Sequence, residues 1–126
     1  MAALKVGDRS LTTDDRTKTM ACQEIDSILQ KCKAALQALY GGRFAGLVLY
    51  GSMARGDYGA ESDIDLLVLL EGDVDTYSEI WPIVEALYPL QSESDQYISA
   101  HAMSLDDYQN CRWPFYLNVR REGVAL

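Results

Sequence analysis

The stretch FAGLVLYGSMARGDYGAESDIDLLVLL, residues 44–70, decides how this chain is read. Two apolar runs, Phe44–Tyr50 and Ile64–Leu70, flank a glycine-rich segment, and each has the length and composition of a strand. Gly51-Ser52 closes the first run. Ten residues later Asp63-Ile64-Asp65 opens the second. Strand side chains alternate between faces, so Asp63 and Asp65 point the same way, about 6–7 Å apart at Cα. Ile64 points to the opposite face, where an apolar residue belongs. Two such carboxylates suit a hard cation such as Mg2+, which takes oxygen ligands and substrate phosphates. The spacing therefore sets a phosphate-binding turn beside a pair of metal-binding carboxylates. Taken singly, each residue has a plainer reading: Gly51-Ser52 as a strand-ending turn, Asp63 as a turn cap, Asp65 on an exposed strand edge. Their joint spacing between two apolar runs favours the site.

The motif Gly-Ser, ten residues, Asp-x-Asp resembles that of the nucleotidyltransferase superfamily, and in particular the minimal nucleotidyltransferases. It stands here as Gly51-Ser52-Met53-Ala54-Arg55-Gly56 and Ser62-Asp63-Ile64-Asp65, with Leu-Leu-Val following. The likeness extends from about Ile25 to the C-terminus. It implies Mg2+-dependent transfer of a nucleotidyl group from ATP, with Asp63 and Asp65 as catalytic metal ligands. Gly51, Ser52, Arg55 and Ser62 form the implied nucleotide-binding set. Gly51 admits a phosphate where a Cβ would block it. Ser52 offers a hydroxyl and a backbone N–H at a helix start, which suits an anion. Arg55 is available to neutralise phosphate or, as the plainer alternative, to sit solvated on an exposed helix.

Active members of the superfamily carry a third carboxylate on a later strand. In this chain the corresponding position falls at Ser99, and Asp95 lies a little earlier. Serine is not a charged ligand, so the resemblance supports nucleotide binding more firmly than turnover. Small members of this kind are paired with a helical HEPN-type toxin, whose RNase activity they silence by transferring AMP. That implies an antitoxin working in a hetero-oligomer. Two alternatives remain: a degenerate relative that neutralises its partner by contact alone, and a transferase acting on a small molecule.

The rest of the chain is compatible with one small domain. It has 126 residues, 48% of them hydrophobic, and a formal net charge of −8. Such an acidic balance disfavours direct nucleic-acid binding, because phosphate contacts carry most of that affinity. A Mg-nucleotide remains compatible, since the metal screens its charge. Cys22, Cys32 and Cys111 are odd in number and widely spaced, which reads as reduced structural thiols in a cytoplasmic protein. No run approaches a membrane span.

Residues 1–17 read as a flexible extension and 18–126 as the domain. Ile25, Ile28, Leu29, Cys32, Leu36 and Leu39 recur at helical spacing, and Gly41-Gly42 stops that helix. A second helix is expected over 75–87, with Pro82 either in its first turn or at a kink. A strand over 97–103 follows, then Ser104 as an N-cap with Asp107 at the capping-box position. A last helix is expected over 114–121, with Pro114 at its start and Gly123 past its end. This order predicts an α/β (α+β) fold, a small mixed sheet with packed helices. His101 reads as a structural strand residue. Trp113, Phe115 and Tyr116 read as core, or alternatively as a partner-facing patch.

Overall fold

The computed structural model describes residues 15–56 and 63–126, and gives the backbone alone for residues 15–24. Helix α1 runs Asp15–Tyr40, and a single 3-10 turn at Gly41–Arg43 leads into β1, Phe44–Tyr50. A one-turn helix α2, Ser52–Arg55, follows. Then come β2 (Ile64–Leu70), α3 (Thr76–Glu93), β3 (Ile98–Ser104), α4 (Leu105–Asn110), α5 (Pro114–Glu122) and β4 (Val124–Ala125). The sheet order is β3-β2-β1-β4. β2 is antiparallel to β1 and parallel to β3, and β4 adds antiparallel to the other side of β1. The sheet is mixed and carries packed helices, as the element order predicts.

Burial follows from alternation. Leu47, Leu49, Ile64, Leu66, Val68 and Leu70 face one side and pack against Leu29, Cys32 and Leu36 of α1 and Ile83, Leu87 and Leu90 of α3. Burial pushes the Cys32 thiol up to about 11, which suits a structural cysteine. The opposite face carries a smaller cluster, Val48, Leu67 and Leu69 under Val119 of α5. That second face is only partly roofed, and Asp65 lies on it by the same alternation.

Several boundaries differ from the sequence expectation. α1 begins at Asp15, inside the stretch read as an extension, while residues 1–14 lie outside the described ones. Helix α3 starts at Thr76, with the Asp75 side chain accepting from the Tyr77 N–H at 3.1 Å. Pro82 and Pro89 both fall inside it, so Pro82 is not in the first turn. The Asp75 cap fixes the start, and tertiary packing of Ile83, Leu87 and Leu90 carries the helix past both prolines. Strand β4 is two residues long, too short to show any period. Its entry is tight: a Cβ on Gly123 would come within 2.4 Å of the Val119 carbonyl and 2.7 Å of a Val48 methyl. Ser104 does cap α4, accepting from the Asp107 N–H at 3.0 Å. Among the described residues, no helix is long and apolar enough to cross a membrane.

Candidate active site

β1 delivers the chain to Gly51, whose φ of +77° lies where side-chain-bearing residues are strained. This conformation turns the chain sharply into α2, and the Gly51 carbonyl accepts from Ala54 and Arg55 N–H at 3.1 and 3.2 Å. Buried Met53 anchors the turn in the core, and Gly56 ends it with φ +79°. Ser52 therefore heads a helical turn whose first N–H groups have no intrahelical partner.

Asp65 enters from β2. The register pairs it with Tyr50 on β1 and with Ser99 on β3, so Tyr50, Asp65 and Ser99 form one row across three strands. The carboxylate packs against the Gly51 α-carbon: a Cβ there would lie 2.4 Å from Asp65 Oδ2. Asp63 is exposed, just before β2, and its charge reaches Asp65. The Asp65 carboxyl is held above its ordinary range, first by partial burial and then by Asp63, with His101 opposing. Two crowded carboxylates beside a glycine without a Cβ fit a divalent cation whose remaining ligands come from phosphate and water. Among the described residues, no group of three or more His, Cys, Asp or Glu side chains is placed to hold a metal.

The other sequence candidates scatter. Arg55 forms an ion pair with Glu122 of α5 at 3.9 Å. Ser62 lies outside the described residues. Asp95 is exposed in the turn before β3. Ser99, the position that the resemblance implies for the third acid, stands in register beside Asp65, and its hydroxyl lies 3.4 Å from His101 Nε2.

A cavity of about 350 Å³ opens on this face, lined by Tyr50, the register partner of Asp65, and by Leu67, His101, Met103, Phe115 and Tyr116 among others; Asp63, Asp65 and Gly51 are not part of its wall. Phe115 meets Tyr50 edge-on at 5.5 Å and Tyr116 at 5.0 Å. The sequence reads the aromatic cluster as core or, alternatively, as a partner-facing patch, and His101 as structural. The structure leaves Trp113 73% exposed, sets Phe115 and Tyr116 on the cavity wall, and exposes His101 at its rim. Strand alternation from Ser99 puts His101 on the same face, a signal present in the sequence. The contribution of α5 depends on tertiary packing and left no such signal.

The nucleotidyltransferase domain family matches this chain over residues 29–104, the span that holds the Gly51 turn, both carboxylates and Ser99. The chain belongs to that family. The nucleotidyltransferase domain is 37% identical over 93 residues to a candidate protein adenylyltransferase of Methanocaldococcus jannaschii, covering 73% of this chain and 87% of that one. A second such protein of that organism is 38% identical over 48 residues, 38% of this chain and 48% of its own. The crystal structure of a candidate nucleotidyltransferase from Sulfolobus solfataricus superposes with a TM-score of 0.51 at 14% identity. It covers 99% of this chain and 86% of that one, and it supports the fold.

The raised Asp65 pKa has a testable consequence for the ligand-free protein. A carboxyl whose folded pKa exceeds its unfolded value is penalised while ionised. The penalty is present above the folded pKa and is relieved as pH falls through it. Asp65→Asn is therefore expected to raise the melting temperature at neutral pH. The gain should shrink toward zero as the pH drops through the range where wild-type Asp65 itself takes up a proton. Thermal melts of both proteins across that range check the sign. A mutant less stable than wild type at neutral pH would contradict it.

Proposed function

We propose that this nucleotidyltransferase domain transfers AMP from ATP to a hydroxyl on a partner protein and thereby silences it. The observation that carries the reading is the Asp65 carboxylate packed against Gly51, with Asp63 beside it. The relatives' naming as candidate protein adenylyltransferases supports the choice of AMP and of a protein acceptor. Bound at Asp63 and Asp65, Mg2+ would neutralise the triphosphate and lower the pKa of the acceptor hydroxyl. Gly51 and the first turn of α2 would cradle the phosphates. Tyr50, Phe115 and Tyr116 offer an aromatic wall for the base. The acceptor oxygen bonds to the α-phosphorus as the bond to the bridging oxygen breaks. Pyrophosphate leaves with the electron pair, and the acceptor proton passes to solvent.

The proposed partner is a small helical HEPN-type RNase, with this chain as its antitoxin. The net charge of −8 suits a basic RNA-cleaving partner, and exposed Trp113 next to Phe115 offers an apolar anchor.

Ser99 in register with Asp65 favours a second reading, in which the domain binds its partner and nucleotide with little turnover. The two separate in one experiment. The purified product of the gene adjacent to this chain's is incubated with this chain, Mg2+ and labelled ATP, and intact mass is followed. Stepwise gain of AMP on the partner supports transfer. Ser99→Asp, which places a carboxylate in register with Asp65, is expected to raise the rate at least about tenfold. Neutralisation of the RNase with no mass gain, by wild type and Ser99→Asp alike, establishes silencing by contact. No complex and no neutralisation removes the antitoxin reading.

A further inference from the structure

Strand β3 is an outer strand of the sheet, and its free side runs beside an apolar groove. The Tyr97 carbonyl accepts from the Ile64 N–H of β2 at 2.8 Å. In a parallel ladder alternate residues turn both backbone groups to alternate sides. Ile98, Ala100 and Ala102 therefore turn theirs outward. Two side chains take up part of this edge. Gln91 Oε1 accepts from the Ile98 N–H at 2.7 Å, and the Thr76 hydroxyl donates to the Ala102 carbonyl at 3.0 Å. Between them Ala100 presents an open pair of backbone groups. The strand, Ile-Ser-Ala-His-Ala-Met-Ser, has no proline, no lysine and no acidic residue, and its ladder with β2 is regular throughout. Apart from the Gln91 and Thr76 caps near its two ends, it lacks the proline, lysine, acidic residue or bulge by which exposed edges usually avoid pairing.

The flank of this edge is as telling. Tyr77, Ile80, Trp81, Val84 and Tyr88 recur at three- and four-residue spacing along the outer face of α3. Tyr77, Trp81 and Tyr88 are 84%, 70% and 68% exposed, and Tyr97, just before β3, is 64% exposed. These four rings alone offer on the order of 400–700 Å² of surface. A stable interface needs about 800 Å² per partner. Ile80, Val84 and the strand edge supply the remainder.

We propose that two copies of this chain associate through β3, pairing the strands antiparallel about His101 and joining their α3 stripes. His101 is the midpoint of the strand. Centring the two-fold there sets Ala100 against Ala102 of the other copy, so the Ala102 N–H meets the Ala100 carbonyl and the Ala100 N–H meets the second lone pair of the Ala102 carbonyl, whose first takes the Thr76 hydroxyl. The small side chains let the backbones and helices approach. Each apolar stripe then meets its own copy, which is the self-complementarity an isologous dimer requires. Antiparallel pairing across such an axis makes one continuous sheet and leaves both Asp65-bearing faces on the same side.

Sedimentation equilibrium of the full chain at micromolar concentration tests this, at an ionic strength that screens the like charge of the two copies. The expected species has twice the 14.1 kDa chain mass. Trp81→Glu, at a position exposed in the single chain, should weaken association by about a hundredfold with an unchanged circular-dichroism spectrum. Arg121→Glu, exposed on α5 where it leads into β4 at the opposite edge of the sheet, should leave it intact. His101→Cys in a Cys22→Ser, Cys111→Ser background should form an intermolecular disulfide on mild oxidation, because directly opposed antiparallel residues lie about 4.5–5.5 Å apart at Cα. The Cys22→Ser, Cys111→Ser protein alone, whose remaining Cys32 is buried, should not. A monomer throughout the range, a dimer indifferent to Trp81→Glu, or failure of the His101→Cys pair to cross-link overturns the proposal and leaves the edge to a different occupant.

Discussion

Replacing Asp63 and Asp65 together by asparagine is expected to lower the Mg2+-dependent nucleotidyl transfer proposed above by about three orders of magnitude or more. A cation's stabilisation of transition-state charge is worth several kcal/mol, and each 1.4 kcal/mol is about tenfold in rate. Asparagine keeps size and hydrogen-bonding capacity but removes both negative charges, so the triphosphate loses its bridge to the protein. Mg-ATP binding should fall with the rate, and calorimetry with and without Mg2+ reads that loss directly. The fold should survive, because Asp63 is exposed and neutral Asp65 is the less penalised form. Equal Mg-ATP affinity in wild type and double variant would refute the metal role of the pair.

The two central strands were legible because their apolar runs are bounded by sharp signals, Gly51 after one and Asp63 before the other. Alternation put Asp65 on the face opposite Ile64, and the structure buries Ile64 while leaving Asp65 partly open. The resemblance to the superfamily set the third-acid position at Ser99, and the structure puts Ser99 in parallel register with Asp65. What escaped the sequence is what depends on strand order and on long-range packing. Nothing local says that β3 ends the sheet while β2 is flanked on both sides. Both runs are rich in apolar residues or alanine. A helix over 75–87 is legible, but nothing local says which of its apolar residues face the core; the structure buries Ile83, Leu87 and Leu90 and leaves Tyr77, Trp81 and Tyr88 exposed. The aromatic cluster at Trp113–Tyr116 was visible as composition, but its place at a cavity mouth is set by α5 crossing the sheet near Tyr50.

Gly51→Ala should cost both stability and function, for two separable reasons. At φ +77° and ψ −158°, a region essentially confined to glycine, an alanine meets backbone strain on the order of 1–3 kcal/mol. Its methyl would also occupy the position 2.4 Å from Asp65 Oδ2, so the carboxylate must rotate away from the turn. Rotation relieves the contact cheaply, since the crowding atom ends a side chain. However, it carries the charge away from the point where phosphate and cation would meet. Transfer is therefore expected to fall about a hundredfold or more, while the stability loss stays near the backbone strain alone. A double-mutant cycle with Asp65→Ala divides the two effects. In the Asp65→Ala background the methyl meets no carboxylate, so Gly51→Ala should cost only the strain and should change Mg-ATP affinity little further. Fully additive losses of affinity in the double variant would show that Gly51 acts through the phosphates alone, and that its approach to Asp65 has no part in the site.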